Sequence, residues 1–267
     1  MPNKRYLRRA VAALALLLAA TTAAGPARAQ SLPTVVLVHG AFADTTSWDG
    51  VAAVLRERGY RVVTPENPLR GPAYDAAAVQ RTLDTISGPV VLAGHSYGGF
   101  VISNVHDPKV ESLVYIAAFA PVEGEVAQAE LDPIRFPGSQ LLPPALQVKL
   151  VDDVTGVAGK NLDAYVAPAS FHDVFAQDVG PETTADMIVH QRSIAVKANL
   201  EPSGPPAWSG TPSWYLVSAD DRVIPPSSQR FMAQRMAART GEIEASHASL
   251  VSRPDAVAAV IDAAVPR

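Results

Sequence analysis

The chain has 267 residues, 22 Lys plus Arg against 26 Asp plus Glu, and 48% hydrophobic residues. That balance excludes a disordered chain and a general basic surface for nucleic acid, because neutralising phosphates takes clustered Lys and Arg. With no Cys in the sequence, disulfides, thiolate zinc sites and cysteine nucleophiles are excluded together.

Lys4, Arg5, Arg8 and Arg9 precede an apolar run from Ala10 to Ala24, followed by Gly25-Pro26 and Ala27-Arg28-Ala29. A basic segment, an apolar segment and a small-x-small site read as an export signal over residues 1–29, with cleavage expected after Ala29. The apolar run is about 15 residues, short of the ~20 needed to span hydrocarbon. The expected product is therefore secreted or periplasmic, without stable membrane association. The Arg8-Arg9 pair leaves both the Sec and the twin-arginine route open.

Thr34 to Val38 is a β-branched apolar block, the mark of a strand buried on both faces, and His39-Gly40 breaks it. Trp48, Val51, Ala52 and Leu55 then fall on one face of a helix that Thr46 or Ser47 can cap and Gly59 can end. Arg61 to Thr64 reads as a strand, Tyr74 to Ser87 as a helix, Pro89 to Ala93 as a buried strand, Tyr97 to His106 as a helix, and Ser112 to Ala117 as a strand. Strand and helix in alternation, with continuously apolar strands, imply right-handed crossovers and a mostly parallel sheet covered by helices on both faces.

Between Phe119 and Trp208 the rhythm breaks, and ten of the 23 prolines fall there. The Leu, Val, Phe and Ile content of this stretch needs burial, which argues against a disordered linker. It reads as a mainly helical cap, 119–208, with its clearest helical pattern over Pro181 to Leu200, inserted between core segments 30–118 and 209–267. A strand returns at Ser213 to Ser218, a helix follows Pro226, a short strand is expected at Glu242 to Ala245, and Val257, Val260, Ile261 and Ala264 signal a last helix.

Gly94-His95-Ser96-Tyr97-Gly98 fits G-x-S-x-G, placed after a buried strand and before a helix. That turn exposes a serine hydroxyl while the glycines let helix and strand approach closely. A serine hydroxyl needs a base to take its proton. In this architecture the partners follow in the order Ser, acid, His, and of six histidines only His247 lies near the C-terminal end. Asp220 and Asp221 compete as the orienting acid. Asp221 is preferred, because an acid, a few residues and then Pro opening a helix is the recurring arrangement, with the other aspartate a turn former. Backbone amides of Ala41 and Tyr97 are the expected oxyanion donors, with Phe42 as the substitute for Ala41. His39 and His95 read as structural. The acyl pocket is expected under the cap, drawing on Phe42, Trp48, Phe119, Leu131, Phe136, Phe171 and Phe175. His172, His190, Asp173, Asp178 and Asp186 lack a metal-ligand spacing, and no phosphate loop or dinucleotide fingerprint is present, so neither metal nor cofactor is expected.

His39-Gly40-Ala41, Gly94 to Gly99, Asp221 with Pro225, and Ser246-His247 together resemble the α/β-hydrolase superfamily, and within it the branch of methylesterases, hydroxynitrile lyases and bacterial carboxylesterases. The resemblance covers nearly all of residues 34–265. It implies a sheet of about six strands, a cap after the sixth family strand, and hydrolysis of a small ester through Ser96, His247 and Asp221. Hydroxynitrile lyases of that branch carry Thr after the first His and Lys after the catalytic His. Here those positions hold Gly40 and Ala248, which favours hydrolysis over cyanohydrin cleavage. A ligand-binding protein without catalysis is the third alternative, and the intact Ser, Asp, His order argues against it.

Overall fold

In the computed structural model the described residues are 32–266; the export signal and the cut at Ala29 lie outside them. In chain order the core begins with β1 (Thr34–Val38), α1 (Asp49–Glu57), β2 (Arg61–Val63), α2 (Pro72–Leu83), β3 (Val90–His95), α3 (Tyr97–Ser103) and β4 (Val110–Ile116). Next come α4 (Ala127–Glu130), β5 (Leu146–Val157), β6 (Lys160–Val166), α5 (Pro168–Phe175), α6 (Pro181–His190) and β7 (Ile194–Ala195). The chain ends with β8 (Ser213–Ser218), α7 (Pro226–Arg235), β9 (Arg239–Ile243), α8 (Ser249–Ser252) and α9 (Pro254–Ala263).

Six strands form one parallel sheet in the order β2-β1-β3-β4-β8-β9. This is the fold that the resemblance to the α/β-hydrolase superfamily implies. The uniformly apolar strands are explained by their two covered faces. Val35, Leu37, Val91 and Val114 pack with Trp48, Leu55, Val257 and Ile261 of the α1 and α9 layer. Val36, Val38, Leu92 and Leu113 face the other side, with Val79, Leu83, Phe100 and Met232 of α2, α3 and α7. Among the described residues no helix is long and apolar enough to cross a membrane.

Within the stretch read as a cap, the structure adds to the expected helices a three-stranded antiparallel sheet, β5-β6-β7. Its hairpin turns at Ala158 and Gly159, whose φ of 51° and 74° give the two consecutive positive values of a tight hairpin turn. The helical pattern expected to reach Leu200 stops at His190, because Ile194 and Ala195 pair with β6 instead. Two other boundaries move as well. Helix α2 starts at Pro72, where a proline suits the first turn, and β9 lies over 239–243 as an exposed edge strand paired with β8.

Strand register places the functional loops. Val38 lies beside Gly94 and His95 beside Ile116, so the loop after β1 and the turn after β3 emerge side by side at the carboxyl edge of the sheet. That edge is where open α/β sheets bind ligands. The turn after β3 is packed backbone to backbone: a Cβ on Gly94 would stand 2.5 Å from the Gly98 carbonyl oxygen. Gly94→Ala is expected to destabilise the fold by about 1–3 kcal/mol, the usual cost of overpacking a site that cannot relax. A lowered urea midpoint at unchanged slope checks it.

Candidate active site

Ser96 joins β3 to α3 with φ 53° and ψ −124°, a conformation L-residues avoid and one that aims the side chain away from both elements. Its Oγ lies 2.8 Å from His247 Nε2, and His247 Nδ1 lies 2.7 Å from Asp221 Oδ2. All three side chains are buried. A carboxylate only accepts, so Nδ1 carries the proton and Nε2 presents its lone pair to the serine hydroxyl. The arrangement can take a proton from Ser96 and stabilise the imidazolium that forms.

Asp221 is held by three donors besides His247. Its Oδ1 accepts the backbone N–H groups of Val223 (2.7 Å) and Ile224 (3.0 Å), and Oδ2 accepts Gln229 Nε2 (2.8 Å). Gln229 carries no motif that would have singled it out in the sequence. Asp220 is exposed and its amide bonds the Ala245 carbonyl, which is the part of a turn former.

Two further histidines frame the site as neutral rings. His95 Nε2–H donates to the His247 carbonyl at 2.9 Å, and its Nδ1 has no partner among the described residues. Burial, with the His247 ring beside it, holds the His95 pKa well below the ordinary value of 6.5. His39 donates from Nδ1 to the Gly40 carbonyl and accepts the Asn67 N–H at Nε2, so it fixes the loop after β1; burial lowers its pKa too.

Among the described residues, the N–H groups of Ala41 and Tyr97 donate to no protein acceptor, and both residues line the cavity into which Ser96 opens. Phe42 is unavailable as a substitute: with φ 61° its N–H turns to the Arg192 carbonyl at 3.0 Å. The cavity is about 200 Å³. Of the aromatic residues expected to line it, Phe42 and Phe119 do so, as does Leu131. Trp48, Phe136, Phe171 and Phe175 do not, which corrects the sequence reading. Trp48 is in the core under the opposite sheet face, and Phe136 packs on Phe231. Phe171 packs at a tilt against Phe175, whose ring stands edge-on to His247 at 4.8 Å between centroids. The lining missed from sequence is aliphatic and amide-bearing, notably Leu141, Leu142, Leu146, Ile194, Gln128 and Asn199. Among the described residues it includes no Lys, Arg, Asp or Glu.

A model of the alpha/beta hydrolase family matches residues 35–260. The chain is 36% identical over 131 residues to a carbendazim hydrolyzing esterase from a Nocardioides species, a match covering 43% of this chain and 51% of that protein, so it spans about half of that relative's length. It is 26% identical over 245 residues to a pyrethroid hydrolase of Sphingobium wenxiniae, covering 85% of each chain. Among solved structures, polyneuridine aldehyde esterase superposes with a TM-score of 0.74 at 18% identity, over 87% of this chain and 98% of that one.

The placement of His95 has a direct consequence. Its lowered pKa means that the proton an ordinary histidine takes up near pH 6.5 is refused in the folded state. Imidazole NMR at pH 5.5 is expected to find His95 still neutral. Linkage gives the sign for stability: His95 lowers it as pH falls below 6.5, where only the unfolded chain binds that proton.

Proposed function

The chain belongs to the α/β-hydrolase family, and from that premise we propose that it is an exported serine carboxylesterase acting on small, uncharged esters. One observation carries the reading: two short hydrogen bonds link Ser96 through His247 to a buried Asp221. Relatives named as an esterase and a pyrethroid hydrolase support ester cleavage. The absence of charged side chains from the cavity lining suits a neutral substrate.

Ser96 Oγ attacks the ester carbonyl as His247 Nε2 takes its proton, and the amides of Ala41 and Tyr97 receive the oxyanion. Collapse breaks the bond to the alcohol, which leaves with the proton from His247. Water then attacks the acyl-enzyme, with His247 again the base, and releases the acid and free Ser96. Asp221 keeps the imidazole in the tautomer that accepts at Nε2, a role no cofactor needs to share.

Ser96→Ala is expected to abolish hydrolysis of a short-chain aryl ester and labelling by a fluorophosphonate probe, with the melting temperature retained. Undiminished turnover in that variant defeats the reading. Asp221→Asn presents the wrong tautomer and is expected to lower kcat by roughly 10⁴-fold. Export is tested separately: protein recovered outside the cytoplasm is expected to begin at Gln30, and a cell-retained chain with its leader intact rejects that part.

A further inference from the structure

The Tyr97 amide can aim at an oxyanion only if the residue after the nucleophile is held still, and its side chain shows what holds it. The phenol donates to Asp75 Oδ2 at 2.8 Å, and both side chains are almost wholly buried. Packing alone would be met by Phe. Asp75 also accepts the N–H groups of Arg70 at 3.0 Å and Gly71 at 3.2 Å, closing the turn before α2. Leu69, with φ 61°, and Gly71, with φ 153°, sit in conformations that need such fixing. Burial raises the pKa of Asp75, against the pull of these donors.

The same turn grips the inserted segment. All five N–H donors of Arg70 are used: Nε on the Pro68 carbonyl at 3.0 Å, Nη1 on Asp153 at 2.7 Å and Asp163 at 2.9 Å, Nη2 on Asp163 at 2.8 Å and the Ser193 carbonyl at 2.9 Å. Beside it, the Ala195 N–H of β7 donates to the Leu69 carbonyl at 3.0 Å. Three residues earlier, the Arg192 carbonyl takes the Phe42 N–H next to Ala41. Residues 192–195 therefore touch the supports of both expected oxyanion donors.

We propose that Asp75 is a positioning residue, acting through the Tyr97 phenol on the oxyanion-binding amide, and that Arg70 makes this positioning depend on the docking of β5, β6 and β7. The proposal rests on the esterase reading above. It assigns transition-state alignment to a pair of buried polar side chains that take no part in the hydrogen bonds linking Ser96, His247 and Asp221.

The test compares wild type, Tyr97→Phe and Arg70→Gln in steady-state kinetics on an aryl ester and in binding of a trifluoromethyl ketone, whose adduct with Ser96 places an oxyanion at the two amides. Small misplacements of a catalytic group cost up to about 100-fold. Tyr97→Phe is expected to lower kcat and the affinity for the ketone about tenfold each, with KM within about twofold. Arg70→Gln is expected to shift both in the same direction; if it does not fold, Asp163→Asn tests the same link. A purely structural role moves the melting temperature and leaves ketone affinity alone. Tyr97→Phe with kcat and ketone affinity at wild-type values overturns the proposal, and loss in Tyr97→Phe without loss in the Arg70 or Asp163 variant overturns its dependence on the β5-β6-β7 sheet. A wild-type chain inert to ester and fluorophosphonate removes the esterase reading itself, an outcome distinct from either.

Discussion

The site depends first on backbone contact at the end of β3. A Cβ on Gly98 would run into the Val38 carbonyl oxygen, and one on Gly40 would stand 2.7 Å from Ser96 Cβ. Bare backbone at those positions lets α3 start directly against the end of β1, which brings the loop after β1 over the serine. Ser96 then holds its positive φ because surrounding main chain leaves no other path: its N–H is bonded to the Ile116 carbonyl, and its own carbonyl accepts from both Gly99 and Phe119. The strain at the elbow is local, and the neighbouring strands carry it.

On this frame the polar groups divide into neutral and charged layers. The rings nearest Ser96, His247 and His95, have their protons assigned by single acceptors, Asp221 and the His247 carbonyl. Charge lies one step further out. Asp221 sits behind His247, Asp75 behind Tyr97, and Arg70 between two aspartates. A second arginine, Arg235 of α7, bonds Glu125 and Glu130 at the start of the inserted segment, where burial drives the Glu130 pKa well up and Arg235 holds that of Glu125 down. Removing one partner from such a buried pair is far more destabilising than its net contribution suggests, because the other charge is left unpaired. The two arginines therefore restrain the segment at widely separated points along it.

Much of this was legible in the sequence, and the reason is periodicity joined to fixed order. Val35 to Val38 and Val90 to Ala93 are apolar at every position because both faces are covered, so β1 and β3 announced themselves. Gly94, Ser96 and Gly98 carry a spacing that backbone contact demands, and chain order singled out His247 and then Asp221. The β5-β6 hairpin was also written there: Gln147, Val148, Lys149 and Leu150 alternate, and Ala158-Gly159 marks the turn. It was hidden by the prolines around it, which read as an end to all sheet. Trp48 shows a different limit, since an aromatic on a helix face declares burial without saying on which side of the sheet. Asp75 and Gln229 lie beyond sequence altogether, because their meaning comes from partners 22 and eight positions away that no local pattern links.

The layering bears on how the site would treat a developing oxyanion. Coulomb interactions strengthen as water is excluded, so a cation in the cavity wall would bind any anion, substrate or product, about as strongly as the transition state. The lining here offers neutral amides instead, at Ala41 and Tyr97, among Leu, Ile and Phe side chains. Such dipoles gain most where negative charge appears on one atom at one moment, and little from a neutral ester. Their effect rests on aim rather than strength, and aim has to come from behind. That requirement gives a physical reason for a buried carboxylate to be spent on a phenol whose hydroxyl is turned to the turn before α2, and for the guanidinium of Arg70 to have every donor engaged at the joint between core and inserted sheet.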